Sequence, residues 1–247
     1  SIYQETGAKG KRTSSKEAEL RSVEWEKKYK KFQDYKQLRV IAVNANMDIF
    51  PKERLFEASA KIQMVNKTDS PIDSVFLNHN SLESTFKFSK SNKLVSLDTI
   101  HNFDIYHFED KIMPGDTLEL AVTVQSNKNT TFRRRSPVRE NGTFINNFAL
   151  FPSLGYSSQG ELTDDKTRKK YDLPKNNLQA HPSDSTALGD TYISNDSDWI
   201  NFEATVSTST DQIAIAPGYL QKEWVENDRR YFHYKMDSKI LNFYAFN

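Results

Sequence analysis

At 247 residues the chain is long enough for one large β domain or two small ones. Its 34 basic and 33 acidic residues leave a formal charge of +1, so it offers no overall field for nucleic acid or an anionic membrane. It has no cysteine, which excludes thiol catalysis, disulfides and cysteine-bound zinc, while 16 Phe and 11 Tyr supply a core despite a hydrophobic content of only 36%.

Residues 1–38 read as a linker followed by one helix. Ser14 and Glu17 have the spacing of a capping box, and Leu20, Val23, Trp25, Tyr29 and Phe32 form a helical stripe that ends near Phe32. Lys27, Lys28, Lys30 and Lys31 read as its solvated face. From Arg39 to Phe50 the period changes to two, with Ile41, Val43, Ala45, Met47 and Ile49 on one face and Asn44, Asn46 and Asp48 on the other. Pro51 to Arg54 turns the chain, and Phe56, Ala58, Ala60, Ile62 and Met64 alternate in the returning strand. Shorter strands are expected at Ser74 to Leu77, Thr85 to Phe88 and Phe103 to Phe108. After the Pro114-Gly115-Asp116 turn, another carries Leu118, Leu120, Val122 and Val124.

Ser126 to Glu140 carries Arg133, Arg134, Arg135 and Arg139 in a polar loop with no aromatic platform for nucleic acid. Thr143 to Phe151, with Phe144, Ile145, Phe148, Leu150 and Phe151, reads as a strand buried on both faces and stopped by Pro152. Gly155 to Gly160 is a turn presenting Tyr156, Ser157, Ser158 and Gln159, and a charged step from Asp164 to Lys170 runs on to Pro174. Lys175 to Ser197 is a long polar loop. Strands are expected at Asp198 to Ser207, Gln212 to Ala216, Arg230 to Tyr234 and Ile240 to Phe246. Short strands at this spacing behind a single helix make the fold all-β, an antiparallel β-sandwich with one N-terminal helix and a single domain over 39–247. A start without Met and an end directly after LNFYAF read as truncation from a longer chain.

No catalytic constellation is visible. None of His79, His101, His107, His181 and His233 has a second histidine four residues away, so the two-histidine helix motif of zinc peptidases is missing and no metal site is expected. No Gly-x-Ser-x-Gly elbow occurs, and Asp164 and Asp165, adjacent in sequence, read as a charged turn.

The order of a buried strand, a polar turn holding Gln159 and Glu161, the step Asp165-Lys166-Thr167-Arg168-Lys169-Lys170, and then Tyr171-Asp172-Leu173-Pro174 resembles a known family. It is similar to the N-terminal β-domain of gluzincin zinc metallopeptidases of the aminopeptidase N type, in which a Gln precedes Asp-Ala-Arg-Arg-Ala-Phe-Pro-Cys. FPSLGYSSQGELTDDKTRKKYDLP resembles most fully a bacterial branch fused to membrane-spanning segments of an ABC transporter permease. The likeness extends through MDIF, FEASAKIQMVNKT, MPGDTLELAVTV and YFHYKMDSKILNFYAF, thus over Arg39 to Phe246. Asp237-Ser238-Lys239-Ile240 stands where the family has Pro-Met-Ser-Thr-Tyr, and the family's Gly-x-Met-Glu-Asn motif is missing.

The resemblance implies a non-catalytic, extracytoplasmic (periplasmic) N-terminal domain of a membrane-tethered aminopeptidase-like protein. Its partners would be its own catalytic domain, which would hold the zinc, the membrane segments of the parent chain, and a peptide substrate; this part of the chain would carry no cofactor. Gln159 and Glu161, with Tyr156 beside them, are the implied substrate-binding residues, since a carboxylate or amide there would accept hydrogen bonds from a peptide's terminal ammonium. Arg168, Lys169 and Lys170 would form ion pairs at the domain interface, and the exposed face near Gln159 would be apolar. Two other readings stay open. One is a periplasmic module that binds peptide or carbohydrate for a transporter, with Tyr156 and Trp199 as stacking platforms; the other is a structural module with no ligand.

Overall fold

The structure is a computed structural model that describes residues 14–126, 136–139, 141–175, 183 and 196–247. Arg133, Arg134, Arg135, His181 and most of the polar loop between Lys175 and Ser197 lie outside the described residues.

The N-terminal helix spans Ser15–Tyr29 and tightens into a 3-10 turn over Lys30–Phe32. Ser14 and Glu17 form the expected capping box, each side chain taking the other's backbone N–H at 3.2 and 2.8 Å. Along the chain, β1 (Arg39–Phe50) and β2 (Leu55–Val65) form the expected hairpin, followed by β3 (Ile72–Asn78), β4 (Glu83–Phe88), β5 (Lys93–Asp98), β6 (Phe103–Ile112) and β7 (Thr117–Gln125). Two-residue pairings then make β8 (Val138–Arg139), β9 (Gly142–Thr143), β10 (Ile145–Asn146) and β11 (Ser153–Leu154). The set ends with β12 (Trp199–Ser209), β13 (Tyr219–Glu226), β14 (Arg229–Lys235), β15 (Ile240–Leu241) and β16 (Ala245–Phe246).

The strands form the expected sandwich. One sheet runs β13-β14-β12-β1-β2-β7-β4, with β15 beside β12, and the facing sheet runs β11-β3-β6-β5. Period-two burial aims Val43, Ala45 and Met47 of β1, and Val75, Tyr106 and Phe108 of β3 and β6, into one shared core. Phe76 and Phe103, alternating with those residues, face the other way and are buried by Trp25, Tyr29 and Phe32 of the helix. The smaller sheet is therefore covered on both faces, and the helix makes a third layer.

Several details differ from the sequence reading; the strand expected over Ile240 to Phe246, for one, breaks into β15, beside β12, and β16, beside β10. The β1–β12 pair is parallel, with Ala42 beside Asn201 and Asp48 beside Ser207, although the sheet is otherwise antiparallel among its described strands. Thr143 to Phe151 is not one strand. Asn146 accepts the N–H of Ala149 and starts a 3-10 turn over Asn147–Ala149, because asparagine side chains compete with the ladder for backbone groups, and Phe144 and Phe148 end up exposed. Gln212 to Ala216 is irregular and is held through reciprocal hydrogen bonds between Ile215 and Asn247. Finally, β5 and β13 are strands in segments for which none was expected; β13 returns into β14 through Asn227 and Asp228, both at positive φ as a two-residue hairpin turn requires.

Candidate functional site

The turn that carries Tyr156, Gln159 and Glu161 lies against the N-terminal helix. Trp25 stacks on Tyr156 with ring centroids 5.2 Å apart and planes 6° from parallel, and its indole N–H donates to the Ser157 carbonyl at 3.1 Å. Gly160 makes this approach possible, since a Cβ there would sit 2.8 Å from the Trp25 ring. The structure thus covers Tyr156 and buries Glu161, while Gln159 stays exposed on a 3-10 turn over Ser158–Gly160.

Behind this turn lies a buried charge network. Asp164 caps the short helix Asp165–Lys170 through the Thr167 N–H, which sends Arg168 inward until only 1% of it is exposed. Its guanidinium grips Glu26 two-handed, at 2.9 and 2.6 Å, and donates to the Leu162 and Pro174 carbonyls, each at 2.7 Å. Lys30 bridges Glu26 and Glu161 at 3.1 and 2.9 Å, and the Tyr156 hydroxyl donates to Glu161 at 2.8 Å. Burial pushes the Glu26 carboxyl up, but Arg168 and Lys30 outweigh it and hold the carboxyl below the usual glutamate range. Burial, reinforced by the hydrogen bond to Glu161, raises the Tyr156 phenol. Arg168 therefore pairs with the chain's own helix, while Lys170 reaches Glu19 at 3.3 Å.

The helix has a second anchor at Asp98, where β5 ends. Lys28 and Tyr29 donate to one carboxylate oxygen, and the backbone N–H groups of Ile100 and His101 donate to the other at 2.9 and 3.0 Å. Burial alone would raise the Asp98 carboxyl; these donors hold it far below the usual range. Sequence reasoning missed Trp25 and Glu26 beside this turn and Asp98 as the helix's second anchor. The available signal was Glu26, three residues after Val23 on the buried side of an otherwise apolar stripe.

A second surface stands out around the segment Phe243–Asn247. β16 pairs with β10, Ile215 bonds Asn247, and Phe243 lies with its ring 5.9 Å from that of Phe148. Phe144, Phe148, Phe243, Ile213 and Ile215 are all exposed there, Phe144 to 60%. The apolar face was expected near Gln159, where Ser158 is exposed and Trp25 is buried beneath the turn; these exposed apolar side chains surround Phe243–Asn247 instead.

Among the described residues no three His, Asp or Glu side chains converge, so none of them forms a set that fits zinc. No described helix is long and apolar enough to cross a membrane. No family model matches the chain, and no curated protein matches it. Solved structures do. An M1 zinc metallopeptidase from Deinococcus radiodurans bound to a Tyr-Ser-Ala substrate is similar over 87% of this chain and 43% of its own, at 12% identity and a TM-score of 0.50. A two-domain M1 zinc metallopeptidase bound to L-arginine is similar over 85% of this chain and 42% of its own, at 13% identity and a TM-score of 0.47. The chain spans less than half the length of these structures, and at such identities what it shares with the first of them is the fold of a β-rich portion.

Proposed function

We propose that the chain is the non-catalytic, extracytoplasmic β-domain of a membrane-tethered, aminopeptidase-like protein. It packs on a zinc catalytic domain and forms one wall of a peptide cleft. The observation that carries this reading is the apolar collar of Phe144, Phe148, Phe243, Ile213 and Ile215, large apolar side chains left exposed around the Phe243–Asn247 segment, as at an interface. The fold shared with part of a zinc metallopeptidase supports it. On this reading Gln159 offers its exposed amide to the peptide's amino end, while Tyr156 and Glu161, held by Trp25 and Lys30, fix the turn that presents it.

The test is to isolate the protein as the cell makes it, with an antibody raised against this chain. Its length, zinc content, membrane association and hydrolysis of aminoacyl p-nitroanilides are then measured beside the 247-residue chain alone. A longer, membrane-associated, zinc-containing product with activity that the short chain lacks is expected, with Gln159→Ala raising KM more than it lowers kcat. A native product no longer than this chain and free of zinc would overturn the proposal.

A further inference from the structure

The outward face of the larger sheet carries side-chain amides that nothing in the fold uses. Asn44 and Asn46 project from β1 and Asn201 from β12; all three are exposed, and none of their amides bonds another described residue. The parallel register sets Asn201 beside Ala42, Glu203 beside Asn44 and Thr205 beside Asn46, so the three amides share one face while Val43, Ala45, Phe202 and Ala204 fill the core behind them. Asparagine is poorly suited to a strand, and threonine suits a mid-sheet position better. Three of them on the two central strands cost the fold stability and return nothing to it.

The rest of the face gives this strip its character. Its charges are balanced: Glu203 pairs with His233 at 2.7 Å and Lys235 at 3.4 Å, Asp48 lies 4.0 Å from Arg229, and Glu57 and Lys61 carry opposite signs on β2. Aromatic rings stand at both ends. Trp199, 56% exposed, opens β12, and Trp224 of β13 stacks on Tyr231 of β14 with centroids 5.1 Å apart. Tyr231 sits beside Ser207, which at the rise of a strand lies roughly 25 Å along β12 from Trp199.

We propose that this face binds a neutral oligosaccharide lying along β1 and β12. Each amide supplies two donors and an acceptor, which suits the paired donor and acceptor character of sugar hydroxyls; Trp199 offers flat apolar surface for the C–H face of a sugar ring, while the Trp224–Tyr231 stack, with Lys222 over the Trp224 ring, closes the other end. A polyanion would need unmatched cations, and an extended peptide would use a sheet edge. None of its amides belongs to the Gln159 turn or to the apolar collar, so the proposal stands or falls independently of the accessory-domain reading.

Calorimetric titration of the 247-residue chain with cellohexaose, xylohexaose, maltohexaose and chitohexaose, and with dextran sulfate as the sulfated counterpart, tests it. At least one of the neutral sugars should bind at millimolar concentration or below, and Trp199→Ala and Asn46→Thr should each weaken that binding about tenfold. Asn46→Thr should melt no lower than the parent chain, because threonine suits a strand better, which separates lost binding from lost fold. The proposal is overturned by silence across the panel at millimolar sugar, by binding that both substitutions leave unchanged, or by binding of sulfated polysaccharides in place of the neutral ones.

Discussion

The inter-sheet core and the helix dock bury similar kinds of aromatic side chain but are held by different physics. Between the sheets, Val43, Met47, Val75 and Phe108 belong to one buried apolar cluster, and stability comes from area removed from water at roughly 25 cal/mol per Å². Under the helix, Trp25 and Tyr29 lie beside an Arg168–Glu26 pair exposed by only 1–2% and an Asp98 carboxylate with several donors. A buried ion pair adds little over a well-packed apolar pair, yet breaking it strands a charge. The dock is therefore a specific and conditional contact, whereas the core is an unconditional one.

Substitutions can pull the two apart. Phe108→Ala should remove about 3–5 kcal/mol from global unfolding measured in denaturant, with helix and sheets lost together. Arg168→Ala should cost up to about 3–5 kcal/mol, but locally: amide exchange should speed up in Ser15–Tyr29 while β1 and β2 stay protected, and uniform loss would show that dock and core are one cooperative unit.

Acid acts on the same contact more gently. Glu26 is held below its ordinary value, so its contribution is present above about pH 4.3 and is lost as pH falls through the depressed folded value; Asp98 adds in the same direction. Protection factors in the helix should therefore fall below that pH before those of the sheets, and a helix as protected at pH 3 as at pH 7 would contradict the assignment. Gly160→Ala drives a methyl into the Trp25 ring and should cost about 1–3 kcal/mol of helix docking, visible as a change in indole fluorescence. The smallest effect, about 1 kcal/mol, is expected for Ser14→Ala, which removes the cap and should fray only the first turn by amide exchange.

What the sequence disclosed follows the same division. β1 and β2 were legible because one face is buried and the other wet, which writes a period of two, and the helix because its capping box and stripe are local. The edge strands β5 and β13 bury almost nothing, so they leave no alternation to read. Thr143 to Phe151 misled in the other direction, its phenylalanines marking a surface and its two asparagines a turn. At the turn, the positions of Tyr156, Gln159 and Glu161 could be read from their spacing. What could not be read was that Trp25, Glu26 and Lys30, more than a hundred residues earlier, would cover two of them. Pairing at such distances has no local signature.

The parallel seam between β1 and β12 also sets a schedule. Asp48 and Ser207, neighbours across it, are 159 residues apart in the chain. At a translation rate of about 5–20 residues per second, β1 waits on the order of 8–30 s for its partner. During that interval one side of the sheet's middle is an open template for any passing strand, so this domain needs a chaperone or a placeholder most while it is being made.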